Sequence, residues 1–504
     1  MTGAAEVLRL HDDDNVVVAI GNLGIGARFD DVTVAADVPS GHKIATRAIA
    51  AGDTVRKYGQ PIGVATRNIA AGEHVHVHNI AAVPSVISDA SPTGIDSREC
   101  VTSTAAFAGY RRPNGSAGTR NYVGIVATVN CSATVVRRIV ERFPASVLTA
   151  WPRVDGLVPV THTSGCGMPA SGPGIELLQR TLGGFIRHAN FGGILVVGLG
   201  CEVNDVGRLL QAQDLAAGPA IRTMTIQEAG GTNKAIAMAE AIVRELLELA
   251  DEARREEIPA SELSLGLQCG GSDSYSGVTA NPALGYAADL LVRAGGTVIL
   301  AETPEIYGAE ALLLQRAVDA GVARDLRGLI DWWLDYAAKN GASLDNNPSP
   351  GNIAGGLTTI LEKSLGAVAK SGSSPLRGVY PYAAKIDKRG FVFMDSPGYD
   401  PCSVTGEIAA GANIICFTTG RGSVFGAKPA PSIKLASNSE MAMRMSDDID
   451  YDCGTVLRGV ETLAQCGEKI FQLILATASG KKSASEKSGF GDLEFVPWQL
   501  GITL

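Results

Sequence analysis

Four apolar runs, NYVGIVATV (121–129), GGILVVGLG (192–200), GTVILAE (296–302) and ANIICFTTG (412–420), limit the folds open to this chain. Each is short, continuous and rich in β-branched residues, as expected of a strand covered on both faces. Between and after them lie helix-like stretches. SATVVRRIVERF (132–143) is one, and TNKAIAMAEAIVRELLELADEARRE (232–256) carries apolar residues at three-to-four spacing. Strands alternating with helices predict α/β units with largely parallel sheets from about residue 107 onward.

The first 88 residues have a different texture. NVVVAI, DVTVA, HKIATRAI, QPIGVATRNI and EHVHVHNI are short strand candidates separated by Gly, Asp and Pro. AIAAGDTVRKYG and NIAAGEHVHVHN echo each other, which suggests paired hairpins in a small β domain. Residues 89–106 are polar and turn-rich and read as a linker. A break near REEIPASEL (255–263) divides the remainder. The expected organisation is a β domain over 1–88, a linker over 89–106, one α/β domain over 107–255 and a C-terminal α/β domain over 256–504. Sixty glycines exceed the usual share of about 7% and predict many close-approach turns.

A formal charge of −9 and the lack of any Lys/Arg run argue against a nucleic-acid partner. No stretch of about twenty apolar residues is present to span a bilayer, and no secretory signal opens the chain. A cytoplasmic protein acting on a small molecule is expected, with a homo-oligomer left open. In that compartment the nine cysteines are reduced thiols, metal ligands or small buried hydrophobes rather than disulfides.

Three of the seven histidines, His74, His76 and His78, fall at alternate positions in GEHVHVHNI. On a strand they share one face, and Val75 and Val77 share the other, toward a core. The row is either a solvated polar face or a metal or anion site. GHK (41–43) adds His42 and Lys43 to the same small domain. Cys166 in HTSGCGMPASG, Cys201 in LVVGLGCEVN and Cys269 in LGLQCGGSDSYSG stand beside glycines where strands should end. Ligands bind at such places in open α/β sheets. These cysteines are either buried at tight turns or converge on one metal or cluster. RRPNGSAGTRNY (111–122) and FTTGRGSVFGAKPAPSIK (417–434) are basic, Gly-rich loops. Their Arg120, Arg421 and Lys428 are suited to a carboxylate or phosphate. No phosphate-loop, nucleophile-elbow or zincin motif occurs.

Longer stretches carry a resemblance. They are GHKIATRAIAAGDTVRKYGQPIGVA, GEHVHVHN, GYRRPNGSAGTRNYVGIVATVNCS, LGCEVN, CGGSDSYSGVTANPALG and MDSPGYDPCSVTGEIAAGANIICFTTGRGSVFGAKPAPSIKLASN. Together they span nearly the whole chain, and they resemble the altronate and galactarate dehydratases, sugar-acid hydro-lyases. The resemblance implies an N-terminal SAF-type β domain and dehydration of a sugar acid such as D-altronate to a 2-keto-3-deoxy acid. It also implies a cofactor: Fe(2+), another divalent metal such as Mn(2+), or an iron–sulfur cluster. Carried over by position, His42 and Lys43 are candidates for proton transfer. His76, His78, Arg120, Asn121, Arg421 and Lys428 are candidates for substrate binding. Cys166, Cys201 and Cys269 are candidates for the metal, with His42, His76 and His78 as the alternative set. Two departures, Ser274 where glycine is expected and Pro113–Asn114 where an acidic residue and glycine are commoner, bear on substrate identity. Galactarate dehydration, a sulfolactate-cleaving activity and a non-catalytic sugar-acid-binding role are the competing readings.

Overall fold

The computed structural model describes residues 6–82, 92, 104–344 and 347–501. Most of the expected linker, 89–103 apart from 92, lies outside the described residues.

The N-terminal unit is built from short antiparallel strands, as its punctuation implies. One sheet runs Val7–Leu8, Val16–Ala19, Lys43–Ala45 and His74–Val75; another joins Thr54–Lys57, Gln60–Ala65 and Ile80–Ala81. The sequence echo is structural. Ile49 and Ile69, which lead the two copies, exchange backbone hydrogen bonds of 2.9 Å in both directions. Each copy turns at a glycine with positive φ, Gly52 at 87° and Gly72 at 82°. In each, the following acid caps the turn: Asp53 accepts from the Ala50 N–H and Glu73 from the Ala70 N–H. Gly72 admits no side chain, since a Cβ there would lie 1.9 Å from the Thr33 carbonyl oxygen.

The α/β alternation yields two parallel sheets. The smaller is ordered Gly156–Val160, Tyr122–Ala127, Phe191–Gly198, Ile221–Thr225, with every pairing parallel. The larger runs Leu376–Tyr380, Gly390–Met394, Thr297–Leu300, Ser264–Cys269, Ile414–Thr419, Ser432–Ala436, Tyr451–Asp452, again parallel throughout. The run 255–263 is not a loose connection. Arg255–Pro259 is a strand pairing antiparallel with Ala106–Arg111, so the chain crosses between the two sheets on a ladder of backbone bonds.

One buried cluster contains Val126 and Ile194 of the smaller sheet together with Ile299, Val392 and Phe417 of the larger. Helices Pro173–Ile186 and Asp400–Ala410 lie at this junction. They approach so closely that a Cβ on Gly184 would meet the Ala409 carbonyl at 2.3 Å. In the larger sheet the chain first moves outward on one side of Ser264–Cys269, and Ile414–Thr419 then starts the other side. Their adjacent carboxyl ends form the switch point at which such sheets bind ligands. The N-terminal β unit packs over this end.

Candidate active site

The histidines gather beneath that cover. Lys43 pairs with Val75 and Ile44 with His74. Because opposed residues share a face, continuing this register sets His42 opposite His76, and all three imidazoles on one side. The ring centroids are 5.1 Å apart for His42–His74, 4.7 Å for His42–His76 and 5.3 Å for the stacked His74–His76 pair. His42 Nδ1 and His74 Nε2 share a hydrogen bond of 3.0 Å. One ring nitrogen from each of His42, His74 and His76 lies within 4.8 Å of the others. Burial favours the neutral ring in all three, and repulsion from neighbouring histidines adds to it at two of them: His74 is brought down to about 4 and His76 to about 3. His76 Nδ1 is buried without a hydrogen-bond partner. Neutral imidazoles and an orphaned buried nitrogen fit a divalent cation.

The strand stops at Val75. Asn79 ties off a turn by accepting the His76 N–H at 2.9 Å and donating to the His74 carbonyl at 2.9 Å. Hence Val75 is fully buried while Val77 is 46% exposed, so the two valines do not share a core. His78 is also exposed, its ring 5.4 Å from that of His74. His74 therefore takes the place that the alternative set gave to His78.

Lys43 points the other way. Its ammonium donates to both oxygens of Glu362, at 2.9 and 3.0 Å, and to the Gly356 carbonyl at 2.6 Å. Lys57 donates to the same carboxylate at 2.8 Å and to Ser274 Oγ at 2.9 Å. Burial pulls Lys43 down to about 8, which leaves it charged at neutral pH. Burial acts to raise Glu362, but the two ammoniums outweigh it and keep the carboxylate ionised. Lys43 thus joins the N-terminal unit to helix Ile360–Ala369 and is turned away from the imidazoles.

The next residue on that helix faces a second buried group. Lys363 donates to Glu305, and Lys370 donates to Cys269 Sγ at 2.9 Å. Cys269, Glu302 and Glu305 offer ligand atoms within 4.8 Å of one another. Glu302 sits at φ 72° with both carboxylate oxygens buried and unpartnered. Burial and then the Glu305 charge raise its carboxyl well above the usual range. The same two causes bring Asp400 up to about 7, and burial pushes the Cys269 thiol up to about 12.

The proposed cysteine triplet is not one site. Cys269 ends a strand of the larger sheet and is closed in by Lys370 and Glu305, whereas Cys166 and Cys201 are exposed at strand ends of the smaller sheet. Glycine flanks all three, but sheet membership separates them.

Arg120 and Asn121 are likewise committed elsewhere. Arg120 grips Glu486 through Nε at 2.6 Å and Nη2 at 2.8 Å, and also donates to the Thr477 and Lys481 carbonyls. The Asn121 amide donates to the Arg153 and Ala250 carbonyls, both at 2.8 Å. Lys428 pairs with Asp492 at 2.6 Å. Arg421 differs, being exposed with no ion pair among the described residues. It lines a cavity of about 170 Å³ at the switch point with Ser40, Ala354, Asn438 and Arg444. Ala354 is also the residue whose carbonyl lies 3.4 Å from His42 Nε2, so cavity and histidines adjoin. A larger cavity of about 580 Å³ opens at the opposite, amino ends of the strands, around Gly295 and Gly390. Its carboxylate, Asp289, is taken up by Ser373 and Ser374.

Sequence reasoning missed Glu302, Glu305, Glu362, Lys363, Lys370 and Arg444. They lie in ordinary helical or loop text; burial marks the first five, and Arg444, which is exposed, is marked only by lining the cavity.

Residues 5–83 match the altronate/galactarate dehydratase SAF domain. Residues 109–251 match the D-galactarate dehydratase/altronate hydrolase second domain, and residues 260–503 the D-galactarate/altronate dehydratase C-terminal domain. The chain is 36% identical over 503 residues to an altronate dehydratase of Bacillus subtilis, covering 99% of each chain. It is 37% identical over 499 residues to an L-threo-forming galactarate dehydratase of Escherichia coli, covering 95% of this chain and 94% of the other. It is also 32% identical over 397 residues to the beta subunit of a (2R)-sulfolactate sulfo-lyase of Chromohalobacter salexigens, covering 78% of this chain and 97% of the other.

Proposed function

The chain belongs to the altronate and galactarate dehydratase family, and from that premise we propose that it converts D-altronate to a 2-keto-3-deoxy acid with the help of a divalent metal. It is an enzyme of the carbon–oxygen lyase class. The observation that carries the metal assignment is the convergence of His42, His74 and His76 beside the switch-point cavity, with His76 Nδ1 buried and unpartnered.

The reaction removes a proton from the carbon next to a carboxylate and expels hydroxide from the neighbouring carbon. An Fe(2+) or Mn(2+) ion on the three imidazoles would supply Lewis acidity for the charge that develops. Arg421 and Arg444, facing the cavity from the larger sheet, bind the substrate carboxylate by charge-assisted hydrogen bonds. Ser40 lines the cavity on the N-terminal side, where its hydroxyl is held 2.7 Å from that of Tyr275. It orients the sugar hydroxyls. His78 stands beside the trio without belonging to it and is the imidazole available to take the proton from C2. Lys43 is not that base, because Glu362 already holds its ammonium. The β unit covering the strand ends limits access of water to the carbanion-like intermediate.

Colorimetric detection of 2-keto-3-deoxy product, with Fe(2+)-loaded protein and a panel of D-altronate, galactarate and (2R)-sulfolactate, tests the reading. Turnover of D-altronate well above the other two supports it. Preference for galactarate or release of sulfite from sulfolactate replaces the substrate, and no turnover of any hexonate or hexarate defeats the dehydratase assignment for this chain.

A further inference from the structure

The two guanidiniums assigned to the substrate carboxylate stand on separate segments of the larger sheet. Arg421 follows strand Ile414–Thr419, and Arg444 ends helix Ser439–Arg444. Both are exposed, so packing does not fix them. Two such side chains close on one carboxylate only if the backbones that carry them are held in register.

Asn438 supplies that hold. Its amide donates to the Gly420 carbonyl at 2.9 Å, one residue before Arg421. Its side-chain oxygen accepts the Met441 N–H at 2.9 Å and so caps the helix that carries Arg444. The same amide donates to Asp273 Oδ2 at 3.0 Å. Oδ1 of Asp273 accepts from Ser437 Oγ at 2.7 Å and from the Ser276 N–H and hydroxyl, both at 2.8 Å. Asp273 is 5% exposed and lies in the turn after Ser264–Cys269, the neighbouring strand at the switch point. That turn also accepts the Arg421 N–H on the Gly271 carbonyl at 2.8 Å.

The fit is close and chemically one-sided. A Cβ on Gly420 would lie 2.1 Å from Asp273 Cγ, so the carboxylate fills the space that any side chain at 420 would need. Asp273 meets only donors: two hydroxyls, one backbone N–H and one amide. An ionised carboxylate accepts all four. An amide in its place would turn its NH₂ on either the Asn438 amide or the Ser276 N–H, each itself a donor.

We propose that Asp273 is a positioning residue for the dehydration: through Asn438 it sets Arg421 and Arg444 relative to each other, and with them the grip on the substrate carboxylate. Its hydrogen bonds go to Ser276, Ser437 and Asn438 and to neither guanidinium, so its effect on substrate runs through the arginines. The inference rests on the reading of that cavity as the carboxylate site.

The test is steady-state kinetics of the Fe(2+)-loaded full chain with D-altronate for D273N, N438S and R421Q, and for R421Q/R444Q with and without N438S, each with a thermal melt. Serine also caps a helix, but it is too short to reach both Asp273 and the Gly420 carbonyl, so N438S keeps the cap and cuts the link. D273N and N438S should each raise KM about 3- to 10-fold with kcat within about twofold of wild type, the loss of part of a charge-assisted hydrogen bond. In the R421Q/R444Q background N438S should lower kcat/KM no further, as coupled residues are non-additive. A merely structural role would lower the melting temperature and leave KM alone. If D273N fails to fold, N438S decides. Unchanged KM in N438S while R421Q raises it, or the full N438S effect without the arginines, overturns the inference and leaves the carboxylate reading standing. Unchanged KM in R421Q removes that reading and this inference with it.

Discussion

The Lys43 ammonium donates to both carboxylate oxygens of Glu362 with neither side chain exposed to solvent, and the two residues lie 319 positions apart in the chain. This contact ties the N-terminal β unit to the C-terminal sheet. Lys57 shares the same carboxylate and also lies over the Tyr58 ring at 4.7 Å. E362Q leaves two buried ammoniums without a counter-charge, and such losses cost about 3–5 kcal/mol. Urea denaturation should show that loss. K43Q should also lower stability, whereas K43Q with full stability but lost kcat would return Lys43 to proton transfer.

His188 makes the fold acid-sensitive. Its Nε2 donates to the Ala412 carbonyl at 3.0 Å, and its Nδ1 accepts the Asn190 N–H at 3.1 Å, which requires a neutral ring. Burial brings it down to about 4, below its unfolded value near 6.5. Between those limits the unfolded chain takes up a proton that the folded chain refuses. Stability is full above about pH 6.5 and falls as pH drops toward 4, by up to about 3 kcal/mol for this residue. Urea midpoints at pH 7 and pH 5 should differ less in H188Q than in wild type; an unchanged difference would remove His188 from the account.

Two arginines from similar-looking loops should behave oppositely. R421Q removes a charge-assisted hydrogen bond to substrate, worth about 1.5–3 kcal/mol, and should raise KM roughly 10- to 100-fold with little change in melting temperature. R120Q strands the nearly buried Glu486 carboxylate and should lower the melting temperature with KM unchanged. Steady-state kinetics and thermal melts separate the two.

Glu302 and Glu305 differ in charge although they share a buried cluster. Burial and Glu305 keep the Glu302 carboxyl protonated, so E302Q should change stability by no more than about 1 kcal/mol. Burial also acts on Glu305, but Lys363 and Lys370 outweigh it and hold it ionised, so E305Q should cost about 3–5 kcal/mol. Equal effects would mean that the charge lies on Glu302 instead.

What the sequence discloses follows the range of the interaction that shapes each element. The buried strands, the helices and the alternating histidines are local patterns, and the paired Ile49 and Ile69 follow from a local repeat. The grouping of cysteines is not local. Cys166, Cys201 and Cys269 share the same glycine-flanked text, but sheet order sends Cys269 to Lys370 and leaves the other two exposed at strand ends of the smaller sheet. Arg120 and Arg421 also read alike, and only the position of Glu486, 366 residues beyond Arg120, distinguishes a structural clamp from a free guanidinium. His74 belonged to the visible row, but its exchange with His78 depended on the turn that Asn79 closes.

The account rests most heavily on a divalent ion held by His42, His74 and His76. The direct measurement is D-altronate dehydration by chelator-stripped protein as Mn(2+) is added back anaerobically, with wild type and H76Q side by side. Stripped wild type should be inactive and recover saturably, while H76Q should need at least about tenfold more metal, the loss expected for one ligand contact of about 1.4 kcal/mol or more. Full activity after stripping, or the same Mn(2+) dependence in both proteins, would contradict it.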